Sequence, residues 1–148
     1  MNTQEAGRAG YLLIAHGALA YELVNTLEFI AGAKSNVHAL AIDHVLDVDK
    51  ARDSVMEAID DLMTEHGVII MTDLFGGAPS NIALSMLDDK NIEIVAGVNL
   101  PMMIHAVSLD EDVPLHERAE QLREYGKNNI FVASDVLNKR RNSGETGK

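Results

Sequence analysis

The chain contains no cysteine in its 148 residues, which removes thiolate nucleophiles, disulfides and thiolate metal sites and fits a reducing compartment. A cytoplasmic location is expected. Basic residues are also scarce: 12 Lys and Arg stand against 23 Asp and Glu, a net charge of −11. Long-range repulsion from phosphates therefore disfavours nonspecific nucleic-acid binding, whereas a basic protein partner would be steered toward this surface. Long apolar runs are missing too. A membrane helix needs roughly 18 consecutive apolar residues, and the longest candidate here is broken by Asn99, Pro101 and His105. No membrane insertion is expected. No Gly-Lys-Ser/Thr follows the paired glycines Gly76 and Gly77, and no GxGxxG follows the first apolar run, so direct use of ATP or NAD is not expected. The histidines form no HExxH pair or other metal spacing, and neither a metal nor a cofactor is expected.

What is present is an alternation of apolar runs and amphipathic stretches. Residues 11–15 (Tyr-Leu-Leu-Ile-Ala) form a strand-length run that ends at His16-Gly17. Leu19, Leu23, Leu27 and Ile30 then recur at helical spacing over residues 18–31, with Gly32 as the stop. Residues 37–42 read as a second strand with Asp43-His44 at its end, and Asp47 or Asp49 caps a helix whose core face is Val55, Ile59 and Leu62. A third strand over 68–72 leads to Asp73 and the glycines, and Pro79 suits the first turn of the helix that follows. Residues 91–98 supply a fourth strand, Asn99 caps a helix opened by Leu100-Pro101, and residues 114–125 read as a charged helix stopped by Gly126. Residues 129–133 are expected to be a fifth strand.

Strands separated by helices predict an α/β fold: a doubly wound, mostly parallel sheet of about five strands with helices on both faces. The last strand follows a long excursion and is expected to be antiparallel or exchanged. Residues 1–10 are polar, carry an acid and lack the order of a secretory signal, so they read as a flexible leader. Residues 11–137 read as a single domain, and a chain of this size can bury roughly 68–70% of its unfolded surface. Residues 138–148, with the basic cluster Lys139-Arg140-Arg141, read as a polar, disordered tail.

In open α/β sheets the carboxyl ends of the strands form the ligand edge, which is where His16 and Asp73 fall. A neutral imidazole can attack phosphorus when an acceptor holds one ring nitrogen as N–H, and Asp73 is the natural acceptor. Gly76 and Gly77 permit close backbone approach, and the helix start beyond them offers N–H groups to an anion. A phosphoryl group or a carboxylate substrate would use the same features. His38, His66 and His116 read as structural or solvated, while His44 and His105 could border the same edge.

The segments Leu13-Ile14-Ala15-His16-Gly17, Thr72-Asp73-Leu74-Phe75-Gly76-Gly77-Ala78-Pro79-Ser80-Asn81 and Val95-Ala96-Gly97-Val98-Asn99-Leu100-Pro101-Met102 together resemble the enzyme IIA component of the mannose family of the bacterial phosphoenolpyruvate-dependent sugar phosphotransferase system. The resemblance extends over residues 11–132. It implies a phosphocarrier, a histidine phosphotransferase, that accepts a phosphoryl group from HPr and passes it to an enzyme IIB. On the matching positions it implies His16 as the phosphorylated residue and Asp73 as its orienting carboxylate. Gly76, Gly77, Ala78 and Ser80 would hold the phosphoryl group, with Gly17, Asn99 and Pro101 in supporting roles. It also implies a homodimer in which the last strand is exchanged.

This chain departs from the family pattern at Ala78, where relatives commonly carry Ser or Thr after the double glycine, and at Ala15, where some carry a hydroxyl. A backbone amide or Ser80 would have to compensate. The phosphotransfer subunit of dihydroxyacetone kinase, a regulatory module read out by the phosphorylation state of His16, and a noncatalytic ligand-binding domain are the alternative readings.

Overall fold

The computed structural model describes residues 7–42, 47–89 and 91–146. Its elements alternate along the chain: β1 (Gly10–His16), α1 (Leu19–Ala31), β2 (Val37–Ile42), α2 (Val48–Leu62), β3 (Val68–Thr72), α3 (Ala78–Leu84), β4 (Ile92–Ala96), α4 (Leu100–Ser108), α5 (Leu115–Asn128) and α6 (Ala133–Thr146). The strands form one parallel sheet in the order β2-β1-β3-β4.

Alternating side chains of β1 feed two cores, as a period of two requires. Tyr11, Leu13 and Ala15 join Ile69, Met71 and Val95 beneath α1, α4 and α5. Leu12 and Ile14 join Val68, Ile70 and Ile92 against α2 and α3. Both faces of the sheet are therefore covered, which is why β1 and β3 read as continuous apolar runs rather than as alternating ones. Each fully buried Leu or Ile stabilises the fold by about 1.5–3 kcal/mol relative to exposure. The caps follow the sequence: the Asp47 side chain accepts the Asp49 N–H, the Asn99 side chain accepts the Met102 N–H, and Pro79 and Pro101 stand in the first turns of α3 and α4.

Among the described residues the sheet has four strands where about five were expected. Residues 129–133 do not pair with any described strand: α5 runs through Gly126 to Asn128, and α6 begins at Ala133. Ile130, Phe131 and Val132 lie between the two helices, 74%, 66% and 64% exposed, so their apolar character does not come from packing in this chain. The polar tail expected from Asn138 falls, up to residue 146, in the second half of α6, a helix with no buried residue over 133–144. At the other end, residues 1–6 lie outside the described residues, but the rest of the expected leader is held in place. Ala9 is buried, and the Gly10 N–H donates to the Gly67 carbonyl at 3.0 Å. Asp43 and His44 also lie outside the described residues.

The strand order places a switch point at the centre of the sheet. From β1 the chain moves to β2 on one side and then returns to β3 on the other, so the connections diverge between β1 and β3 and leave a crevice at their carboxyl ends.

Candidate functional site

His16 is the last residue of β1 and Asp73 the first residue beyond β3, so the two flank that switch point. Their contact is direct. The His16 ring Nδ1 lies 2.9 Å from Asp73 Oδ2, and the same oxygen accepts the His16 backbone N–H at 3.0 Å. The other oxygen, Oδ1, accepts the Leu74 N–H at 2.9 Å. Burial alone would push the Asp73 carboxyl up, but the His16 amide, the His16 ring, the Leu74 amide and the imidazole charge outweigh it and hold the group below its ordinary value. An ionised carboxylate can only accept, so Nδ1 carries the proton and the lone pair of the neutral ring falls on Nε2.

Glycine at position 77 is set by that ring. A Cβ added there would lie 2.9 Å from His16 Cε1 and 3.3 Å from Nε2, closer than side chains pack. The backbone of Gly77 is extended (φ −87°, ψ 176°), so the requirement is one of space at the Nε2 edge and not of left-handed geometry.

The Asp73 to Ala78 loop is braced from within. Thr72, fully buried, donates its hydroxyl to the Leu74 carbonyl at 3.1 Å, and its own carbonyl accepts the Gly97 and Val98 N–H groups at 2.9 and 3.0 Å. These bonds tie the ends of β3 and β4 together. Thr72 reads in sequence as one more strand residue, and only its place directly before Asp73 marks it. Ser80 is buried, and its Oγ accepts the Gly76 N–H at 3.1 Å, so these two expected phosphoryl ligands are bonded to each other. The first backbone bond of α3 runs from the Asn81 N–H to the Gly77 carbonyl at 2.9 Å, which leaves the Ala78 and Ser80 amides without an intrahelical acceptor. Ala78 itself is exposed.

The remaining expected residues lie outside this loop. Gly17 turns the chain out of β1 with φ +57°. The Asn99 side chain caps α4 through its Oδ1 and donates from Nδ2 to the Gly126 carbonyl at 3.0 Å, which fastens α4 to α5. Pro101 opens α4. His105 stacks on Tyr125 with ring centroids 4.0 Å apart, and burial lowers its pKa. Leu74 and Phe75, directly after Asp73, are 60% and 76% exposed and put an apolar rim beside the pair.

Fold and site together define a parallel α/β protein with a carboxylate-oriented histidine at its ligand edge. The family "PTS system fructose IIA component", of the mannose EIIA type, matches residues 10–123. The chain belongs to this mannose family of enzyme IIA components of the sugar phosphotransferase system. It is 28% identical over 129 residues to the "PTS system fructose-specific EIIA component" of Bacillus subtilis, which covers 86% of this chain and 88% of that protein. Over 100 residues, 67% of this chain, it is 30% identical to the "PTS system mannose-specific EIIAB component" of Escherichia coli, of which it spans only 31%. Among solved structures, the PTS IIA protein associated with the fucose utilization operon of Streptococcus pneumoniae superposes with a TM-score of 0.79 at 27% identity, covering 89% of this chain and 98% of that one. Among the described residues no helix is long and apolar enough to cross a membrane, and no cluster of three or more His, Cys, Asp or Glu is placed to hold a metal ion.

Proposed function

We propose that this chain is a cytoplasmic phosphocarrier in which His16 receives a phosphoryl group from phospho-HPr and delivers it to an enzyme IIB. The observation that carries the reading is the paired contact of His16 with Asp73 Oδ2, together with a glycine against the Nε2 edge of the ring. In the first step the Nε2 lone pair attacks phosphorus; the new N–P bond forms as the bond to the donor histidine breaks, and the donor imidazole leaves. The phosphorylated His16 ring is cationic, and the Asp73 carboxylate on its Nδ1–H offsets that charge. In the second step a nucleophile of enzyme IIB attacks the same phosphorus, the N–P bond breaks, and His16 returns to its neutral form. No bond to Asp73 changes in either step.

The phosphoryl oxygens need donors, and the amides of Gly77 and Ala78 at the head of α3 are assigned that role. Ser80 acts through the loop by fixing Gly76. Ala78 leaves the work to the backbone where relatives have a hydroxyl. The exposed Leu74 and Phe75 rim suits contact with a protein donor and acceptor better than enclosure of a small substrate. The proposal includes a homodimer in which residues 129–133 add to the partner's sheet as an antiparallel strand.

Transfer of radiolabelled phosphate from purified phospho-HPr tests the reading. Label should appear on the chain and pass on to an enzyme IIB, and His16→Ala should abolish both steps. Undiminished labelling of His16→Ala would remove His16 from the mechanism.

A further inference from the structure

At the opposite, amino-terminal edge of the sheet, a second set of polar groups converges that phosphoryl transfer does not use. Arg118 of α5 is buried, 2% exposed, and its hydrogen-bond acceptors are neutral: one terminal nitrogen donates to the Tyr11 hydroxyl at 2.9 Å and the other to the Asp110 carbonyl at 2.6 Å. Tyr11 in turn donates to the Ala106 carbonyl of α4 at 2.9 Å. This leaves the third guanidinium nitrogen, Nε, with no hydrogen-bond partner.

Among the described residues, three buried side-chain nitrogen or oxygen atoms have no hydrogen-bond partner: Arg8 Nε, Asn36 Oδ1 and Arg118 Nε. All three residues line one narrow cavity of about 10 Å³ between the segment leading into β1, the loop before β2, and α4 with α5. The amide side of Asn36 is fixed by its Nδ2 donating to the Ala9 carbonyl at 2.9 Å, so Oδ1 is the atom left over. Arg8 Nε lies 3.3 Å from Glu111 Oε1, an ion pair whose angle does not make it a hydrogen bond.

Unsatisfied buried polar atoms are rare because each forfeits its hydration, and three of them on residues that line one cavity point to a shared partner. That partner must accept from two N–H groups and donate to one carbonyl oxygen. A halide can accept from both arginines but would face Asn36 Oδ1 with no proton to give, a polyatomic anion exceeds a cavity of about 10 Å³, and Asp110, Glu111 and Asp112 rim the larger cleft outside. Water does both, and buried waters make about three hydrogen bonds in cavities of this order, roughly 10–15 Å³ or more.

We infer that this cavity is a binding site for a single ordered water, which accepts from Arg8 Nε–H and Arg118 Nε–H and donates to Asn36 Oδ1. The water joins the segment before β1 to α5 at the end of the sheet away from His16, and the Arg8–Glu111 pair stands between it and the outer cleft.

A crystal structure of the full chain grown with bromide salt tests the assignment. One oxygen-sized peak is expected about 2.7–3.2 Å from all three atoms, with no anomalous bromine signal. A bromide peak in the cavity overturns the choice of water, and a dry cavity overturns the site. Arg118→Met should remove the peak. Where that variant does not fold, Arg8→Met, at the partly exposed side of the cavity, gives the same reading. A water bound unchanged in the variant would contradict the assigned donors.

Discussion

Asp73 grips His16 twice with a single oxygen: Oδ2 accepts the backbone N–H at 3.0 Å and the ring Nδ1 at 2.9 Å. The ring is thereby fixed to the end of its own strand and to the end of the neighbouring strand at once. Its tautomer and its direction follow from the same contact, which is how a carboxylate prepares an imidazole for nucleophilic work.

Asp73→Asn keeps the shape of the side chain and loses its charge. An amide oxygen can still accept one bond, but it cannot offset the imidazolium that forms with the N–P bond. Transfer from phospho-HPr should fall on the order of a hundredfold, with the fold intact by circular dichroism. An unchanged rate would take Asp73 out of the mechanism.

Gly77→Ala tests the space at the Nε2 edge. The backbone there tolerates alanine, so stability should change little, yet the new methyl group would meet the ring at 2.9 Å and displace it. Phosphoryl transfer should drop by about tenfold or more. A variant as active as the parent would show that the ring does not need its observed position.

The lowered pKa of Asp73 also sets a sign for acid stability. Its folded value lies below the ordinary 3.8, so the unfolded chain takes up the proton first as pH falls. Stability from this group is full above the ordinary value and is lost as pH drops through the folded one. The parent should therefore lose its stability advantage over Asp73→Asn as denaturant titrations move from about pH 5 downward. A constant difference across that range would contradict the shift.

His116 should titrate in the opposite sense. Its Nδ1 lies 3.1 Å from Glu93 Oε1 and its Nε2 2.8 Å from Glu120 Oε1; the hydrogen bond to Glu93 and the charges of both carboxylates raise its pKa above 6.5. Stability from this contact is present below that ordinary value and is lost as pH rises through the raised one. The exposed ring makes the effect on stability small. The NMR titration midpoint of His116 should move back toward 6.5 in Glu93→Gln, and an unmoved midpoint would break the assignment.

The parallel sheet and the contact of His16 with Asp73 are readable in the residues because both rest on local chemistry. The apolar runs of β1 and β3 are buried on both faces, Asp47 and Asn99 are capping residues, and His16 and Asp73 follow directly from strand ends. The fate of Ile130, Phe131 and Val132 was not readable. Their β-branched and aromatic character marks a strand, but local character does not say which sheet edge a segment reaches, and among the described residues they pair with no strand. The bond between Ser80 and Gly76 is not readable, since sequence spacing does not say which way a hydroxyl turns. The buried Arg118 was hidden for a similar reason: it stands in a charged helix, and only the packing of α5 on Tyr11 shows that it points inward.

The most direct test of the central claim is the chemical position of the phosphoryl group. After incubation of the ¹⁵N-histidine-labelled chain with phospho-HPr, NMR of the ring nitrogens should show a single acid-labile N–P bond at Nε2 of His16, with Nδ1 still protonated. Phosphorylation at Nδ1, at another histidine, or at none would contradict the account.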